Sequence, residues 1–142
     1  MSRTATQVGT RTTVDRFLSL LAAQDADGVA EVFAEQIDWF VPGAEHLPWT
    51  GPRTRREDVP VYFRTMWPHF VEGESETVID QLLVDGPDAA LFGRFSHTAK
   101  ASGRRFSTPV ALRISVHEGR IVRFHLFEDT LAVARAMPSA GA

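Results

Sequence analysis

Apolar residues recur at helical spacing through the first half of the chain and at alternating spacing through the second, so helices should precede strands. Val14, Phe17, Leu18 and Leu21 predict a first helix from about Thr13 to Gln24. Asp25 or Asp27 is placed to cap a second, short helix carrying Val29, Val32 and Phe33. Ile37 to Val41 then reads as a β-run closed by Pro42-Gly43, and the proline- and glycine-rich stretch from Pro42 to Pro52, which holds His46 and Trp49, reads as a loop. A third helix, about Arg56 to Phe70, puts Val59, Phe63, Met66, Trp67 and Phe70 on one face. Pro60 falls in its first turn and Pro68 disturbs its end.

Four alternating runs follow, Glu76–Val84, Ala89–Thr98, Phe106–Val116 and Arg120–Glu128, parted by turn signals at Asp85-Gly86-Pro87, Ser102-Gly103 and Glu118-Gly119. Their order predicts an antiparallel meander. Leu131 to Met137 reads as a closing helical turn and Pro138 to Ala142 as a frayed tail. The expected domain is therefore a single α+β unit spanning 1–142, with an ordered core over about residues 12 to 137. Three N-terminal helices pack on one face of a curved, cone-shaped antiparallel sheet and leave an internal pocket where the cone opens. Val110, Leu112, Ile114 and Val116 form one unbroken apolar row, which should face that interior.

The most informative chemistry lies at the end of the last strand. Val122, Phe124 and Leu126 share a face, and the next residue on that face is Glu128. A carboxylate that continues an apolar row stands either at the row's solvent end or inside a pocket, where lost hydration would raise its pKa into the range of a working acid or base. Asp129 points the other way and suits the cap of the final helical turn. On the strand Ala89–Thr98, two rows compete for the interior. If Leu91, Gly93, Phe95 and His97 face in, His97 joins Glu128 as a proton-transfer partner; if Ala90, Phe92, Arg94 and Ser96 do, Arg94 pairs with Glu128 instead. His125, on a row with Ile121, Arg123 and Phe127, belongs to the outer face. Trp39, Phe63, Trp67 and Phe124 serve as core or as walls for a flat ring, and Trp49 with His46 borders the mouth.

Composition narrows the partners. The 142 residues carry a net charge of −3 and no cysteine, which excludes disulfides, thiolate nucleophiles and cysteine-based metal centres. Arg53, Arg55 and Arg56 are the one tight basic cluster, read as a solvated face or as a seat for an anionic substrate tail; nothing resembles a phosphate-tracking stripe, so nucleic acid is not an expected partner. There is no signal-peptide core and no run of about 18 apolar residues, so the expectation is a cytoplasmic protein with no membrane partner. The histidines show no His-x-His or i, i+4 pair, and no metal is expected.

The order of elements, with FAEQIDWFVPG, the WTG at Trp49–Gly51 and the closing GRIVRFHLFEDT, resembles the nuclear-transport-factor-like superfamily of cone-shaped domains, in its SnoaL-like and ketosteroid-isomerase-like branch. The resemblance implies a pocket between helices and sheet, cofactor-free acid–base chemistry in many members, and frequent homodimers through the outer sheet face. It also places Phe17, Val41 and Leu112 where the isomerases carry their tyrosine, general-base aspartate and second oxyanion-hole carboxyl. Steroid isomerisation by that machinery is therefore not expected. Leu126 falls where limonene-epoxide-hydrolase-like members carry the last aspartate of an Asp-Arg-Asp set. These four apolar residues become expected walls for the substrate.

The resulting expectation is a cofactor-independent cyclase, isomerase or dehydratase acting on a small apolar, cyclic or polyketide-like molecule, with Glu128 and His97 as the proton-transfer groups. The alternatives are a non-catalytic ligand-binding module of the same fold and an epoxide-hydrolase-like enzyme.

Overall fold

A computed structural model describes residues 2–137; the expected tail from Pro138 to Ala142 lies outside the described residues. Helix α1 runs Arg3–Ala22, about ten residues longer at its start than hydrophobic spacing predicts. Its early turns are threonine-rich, and Thr6, Thr10, Thr12 and Thr13 each donate a hydroxyl to the carbonyl four residues back. That local bonding satisfies the side chains without breaking the helix. Ser2 caps the first turn by accepting from the Ala5 amide at 3.1 Å. Thr10 shares its one hydroxyl proton between the Thr6 carbonyl and the Gly86 carbonyl at 2.8 Å, tying the extra turns to the first strand turn.

Helix α2 (Ala26–Glu31) is capped by Asp25, whose carboxylate accepts from the Gly28 amide. Strand β1 (Phe33–Val41) begins four residues earlier than the β-rich run suggests. Strand β2 (Gly51–Arg55) occupies the end of what reads as loop and its polar edge. Its GPRTR sequence has no apolar alternation because it borders the sheet and pairs with β1 alone. Helix α3 (Asp58–Met66) is shorter than expected and gives way to a 3₁₀ turn over Trp67–His69, where Pro68 lacks the amide that a continuing helix would need.

Strands β3 (Glu76–Asp85), β4 (Asp88–Thr98), β5 (Arg105–His117) and β6 (Arg120–Glu128) form the predicted meander, and α4 (Thr130–Ala136) closes the chain. The sheet order is β2-β1-β6-β5-β4-β3. It is mixed rather than wholly antiparallel, because β1 returns parallel to β6 through the long excursion of the strands between. Register shifts in β1, β3 and β6 mark bulges that bend it around the helices.

The bulge in β6 overturns one expectation. Val116 pairs with Ile121 while Ser115 pairs with Arg123, so Val122 is the extra residue and the alternation before it inverts. Ile121 is therefore fully buried instead of facing outward with His125 and Phe127. Val110, Leu112, Ile114 and Val116 are all buried, as the alternation predicts. Against this interior row α1 sets Phe17, whose ring meets Phe124 edge-on at 5.5 Å. Trp39 stacks on the other side of Phe124 at 4.4 Å. The aromatic cluster fills one end of the cone and leaves the other open.

Candidate functional site

The open end is a cavity of about 600 Å³ between α1, α3 and the inner faces of β4, β5 and β6. Phe17, Val41, Leu112 and Leu126 all line it, and so do Phe63, Trp67, Phe124 and Trp49. Three expected contacts do not. Trp39 is buried in the aromatic cluster behind Phe124, because its stacking partner stands between it and the cavity wall. His46 lies on the opening loop but donates from Nε2 to the Met137 carbonyl at 2.6 Å, so it pins the C-terminal helix. Arg94 is exposed on the outer face of β4, next to buried Gly93 and half-buried Phe95. The row of Leu91, Gly93, Phe95 and His97 is the inner one, which removes Arg94 as a partner for Glu128.

His97 and Glu128 both reach the cavity, but not as a pair. His97 pairs with Phe106 across the β4–β5 ladder, whereas Glu128 stands on the rung of Gly93 and Val110. Two strand spacings and four residues of rise separate them, about 16 Å between backbones. A direct proton relay is out of reach.

Glu128 lines the cavity half-buried, at the end of β6 just before α4. Loss of hydration, with a smaller contribution from the adjacent Asp129 carboxylate, pushes its pKa up to about 7. Asp129 turns away, accepts from the Ala132 amide at 3.1 Å and caps α4. Thr108, on the inner row of β5, accepts from the Asp129 amide at 2.9 Å and so holds this corner of the chain against the sheet.

Tyr62 is the residue that sequence reasoning missed. It is the one tyrosine in the chain and sits on the same α3 face as Val59 and Phe63, a spacing that would have found it. Its buried ring packs edge-on against Trp39 and Phe63, each at 4.8 Å, with the Arg53 guanidinium 5.7 Å from its centre. Burial first, and then the negative charge of Glu128, drive its hydroxyl pKa upward against the opposing effect of Arg53. The phenol thus stays protonated, a neutral donor lining the same cavity as a carboxyl poised near neutrality.

The other two arginines of the basic cluster are engaged elsewhere. Arg55 bonds Glu57 at 3.2 Å, and Arg56 donates to the Phe33 carbonyl at 2.8 Å. At the other end of the cavity, His97 shares a 2.7 Å hydrogen bond between Nδ1 and Ser75 Oγ. Burial, and secondarily the charge of Arg105, lower its pKa to about 4, so the imidazole is neutral at physiological pH. Among the described residues, no group of three or more His, Asp or Glu side chains is placed to hold a metal ion. No described helix is long and apolar enough to cross a membrane.

The sequence profile of the SnoaL-like domain matches residues 14–124. The chain belongs to the SnoaL-like family. No curated protein matches its sequence. Among solved structures, this SnoaL-like chain is similar to an NTF2-like protein from Burkholderia thailandensis E264. The two are 26% identical with a TM-score of 0.79, over 90% of this chain and 96% of the other. It shares its fold with TerC co-crystallized with polyporic acid (12% identity, TM-score 0.80, 92% and 99% of the two chains). The same holds for a protein of ketosteroid isomerase-like fold from Catenulispora acidiphila DSM 44928 in complex with trimethylamine (12%, 0.73, 90% and 93%). In the SnoaL-like chain Phe17, Val41 and Leu112 line the cavity as apolar walls, and Glu128 is the lining carboxyl whose pKa is raised.

Proposed function

We propose that this chain is a cofactor-independent enzyme of the cyclase, isomerase or dehydratase type, acting by proton transfer on a small, largely apolar, cyclic or polyketide-like substrate. One observation carries the reading: a carboxyl whose pKa burial raises to about 7, on the wall of a cavity of about 600 Å³ lined by Phe, Trp and Tyr rings among other side chains. Near pH 7 such a group is divided between its two protonation states. It takes a proton from carbon as the base and returns it to carbon or oxygen as the acid. Tyr62, held neutral, donates to the substrate oxygen on which negative charge develops, and a water-poor cavity strengthens that bond. The tryptophans and Phe124 hold the ring.

The proposal includes a homodimer formed through the outer sheet face. The second reading, a binding module, is favoured by the apolar side chains at positions 17, 41 and 112, where the isomerases carry catalytic groups.

A direct test is exchange of the α-protons of 2-tetralone into deuterated water, followed by proton NMR. Acceleration by the purified chain is expected, with Glu128→Gln losing at least about 100-fold while remaining folded. Unaccelerated exchange, or full activity in the variant, would leave the binding-module reading.

A further inference from the structure

The acid–base reading uses one end of the cavity and leaves the other, equally built, without a task. There His97 lies flat on Phe70 with ring centres 4.1 Å apart, and the ring of Phe106, its rung partner on β5, lies 5.8 Å away. Ser75 Oγ holds Nδ1 at 2.7 Å from the strap that leads into β3. The strap is itself tied down. Arg105 donates to the Glu74 carbonyl at 2.6 Å, Thr98 donates to the Glu74 carboxylate at 3.0 Å, and the Val71 amide donates to the Thr98 carbonyl at 2.8 Å. Both Ser75 and His97 line the cavity, and no side chain among the described residues bonds Nε2 of the ring.

We propose that Ser75 and His97 form a second polar anchor, which takes a hydroxyl group at the end of the substrate remote from Glu128. The substrates of this site are then elongated molecules with a carbonyl end, an apolar middle and a hydroxylated far end. The proposal rests on the reading of Glu128 as the reacting end. A neutral imidazole whose Nδ1 accepts from Ser75 presents an N–H at Nε2; one whose Nδ1 donates presents a lone pair there. A hydroxyl is donor and acceptor at once and satisfies either form, whereas a carboxylate can only accept. Glu72 and Glu76 also line the cavity and the Arg105 guanidinium lies 3.8 Å from Glu76, so this end offers no unbalanced positive charge to an anionic group. The separation of about 16 Å between the two backbones sets the length, and the aromatic walls between them set the apolar middle.

The test uses the full chain with flavanone and 4′-hydroxyflavanone, read through quenching of tryptophan fluorescence. The hydroxylated compound should bind wild-type protein about tenfold more tightly, the value of one well-placed hydrogen bond. Ser75→Ala changes an exposed residue, and His97→Phe keeps the stack on Phe70. His97→Phe should bring the ratio to about one and Ser75→Ala should lower it, while flavanone itself keeps its Kd within about twofold. A ratio near one in the wild type, or a tenfold ratio that survives in both variants, overturns the anchor. Glu128→Gln distinguishes the two readings, because it should abolish exchange of 2-tetralone and leave the hydroxyl preference intact. An inactive Glu128→Gln with no wild-type preference refutes the anchor alone. An active Glu128→Gln with the preference intact refutes the acid–base reading alone.

Discussion

The imidazole of His97 lies on the ring of Phe70 with planes only 12° from parallel, and the same cavity that strips water from it also strips water from Glu128. Burial acts on the two groups in opposite directions, because it always favours the uncharged form. The histidine loses its proton more readily, with its pKa lowered to about 4, and the glutamate keeps its proton longer, to about 7. At pH 6 both are chiefly neutral. The cavity is thus less charged than its composition implies.

Stability should carry the signature of this opposition. As the pH rises from about 4 to 6.5, the unfolded chain holds more protons at His97 than the folded one, so this group's contribution increases with pH and is fully present above 6.5. Between 4.5 and about 7 the folded chain holds more at Glu128, whose contribution is fully present below 4.5 and fades as the pH rises. The two slopes cancel over most of their range. Relative to wild type, Glu128→Gln should gain about 2 to 3 kcal/mol in its pH-dependent stability between pH 4.5 and 6.5, and His97→Phe should lose as much. Urea unfolding at three pH values reads both. Parallel curves for all three proteins would mean that neither group is desolvated.

Tyr62→Phe removes one oxygen from the cavity wall that Glu128 also lines. If that hydroxyl donates to a developing oxyanion, exchange of 2-tetralone should slow by about 100- to 1000-fold, in line with the loss of a single preorganised donor. The ring contacts with Trp39 and Phe63 persist in phenylalanine, so the melting temperature should stay within a few degrees. An unchanged rate would reduce Tyr62 to a wall residue. A collapsed melting temperature would show its hydroxyl to be structural.

The strands of the meander were legible to within a residue or two because each is a β-rich run that ends at a turn signal. Three features were hidden for three physical reasons. The first turns of α1 escaped notice because their stabilising contacts are threonine hydroxyls bonded backward along the helix, which leave no apolar spacing. Ile121 was assigned to the wrong face because a single extra residue at Val122 inverts the alternation, and a bulge has no compositional mark. The inner face of β4 could not be chosen because both rows are apolar. Pairing with β5, which sets Leu91 against Leu112 and Phe95 against Thr108, decides it. The site followed the same rule. Glu128 was legible from its own strand, whereas the separation of His97 and the approach of Tyr62 depend on register between elements.

Gly93 shows how tightly that register is held. A methyl group at this position would stand 2.0 Å from the Val78 carbonyl oxygen on β3, and backbone offers no easy way to yield. Gly93→Ala should destabilise the fold by about 1 to 3 kcal/mol, as overpacking does elsewhere. Because Gly93 pairs with Val110 on the rung of Glu128, the strain should also disturb the reacting end more than the His97 end. The expected pattern is a lower urea midpoint, slower exchange of 2-tetralone and a retained preference for 4′-hydroxyflavanone. A midpoint equal to wild type would show that β3 can move away without cost.

The outer face of the sheet presents Phe40 and Phe127 at 44% and 56% exposure. They border a groove of about 320 Å³ with Pro42, Pro52 and His125. Beside it Asp38 accepts from His125 at 2.8 Å and from Arg123 at 3.3 Å. Its carboxyl is held below the usual range chiefly by the hydrogen bond from His125. The apolar rings, with Asp38 already paired to His125 and Arg123 beside them, make a surface that a second copy can cover without stranding those three groups. Sedimentation should therefore report twice the chain mass of 15.8 kDa. Phe127→Lys should reduce it to a single chain, because two copies of the new ammonium would face one apolar groove each. The inner face lies on the other side of the sheet, so exchange of 2-tetralone should persist in the variant. A single-chain mass for the wild type would assign Phe40 and Phe127 to solvent, and loss of exchange in Phe127→Lys would tie the cavity to the paired state.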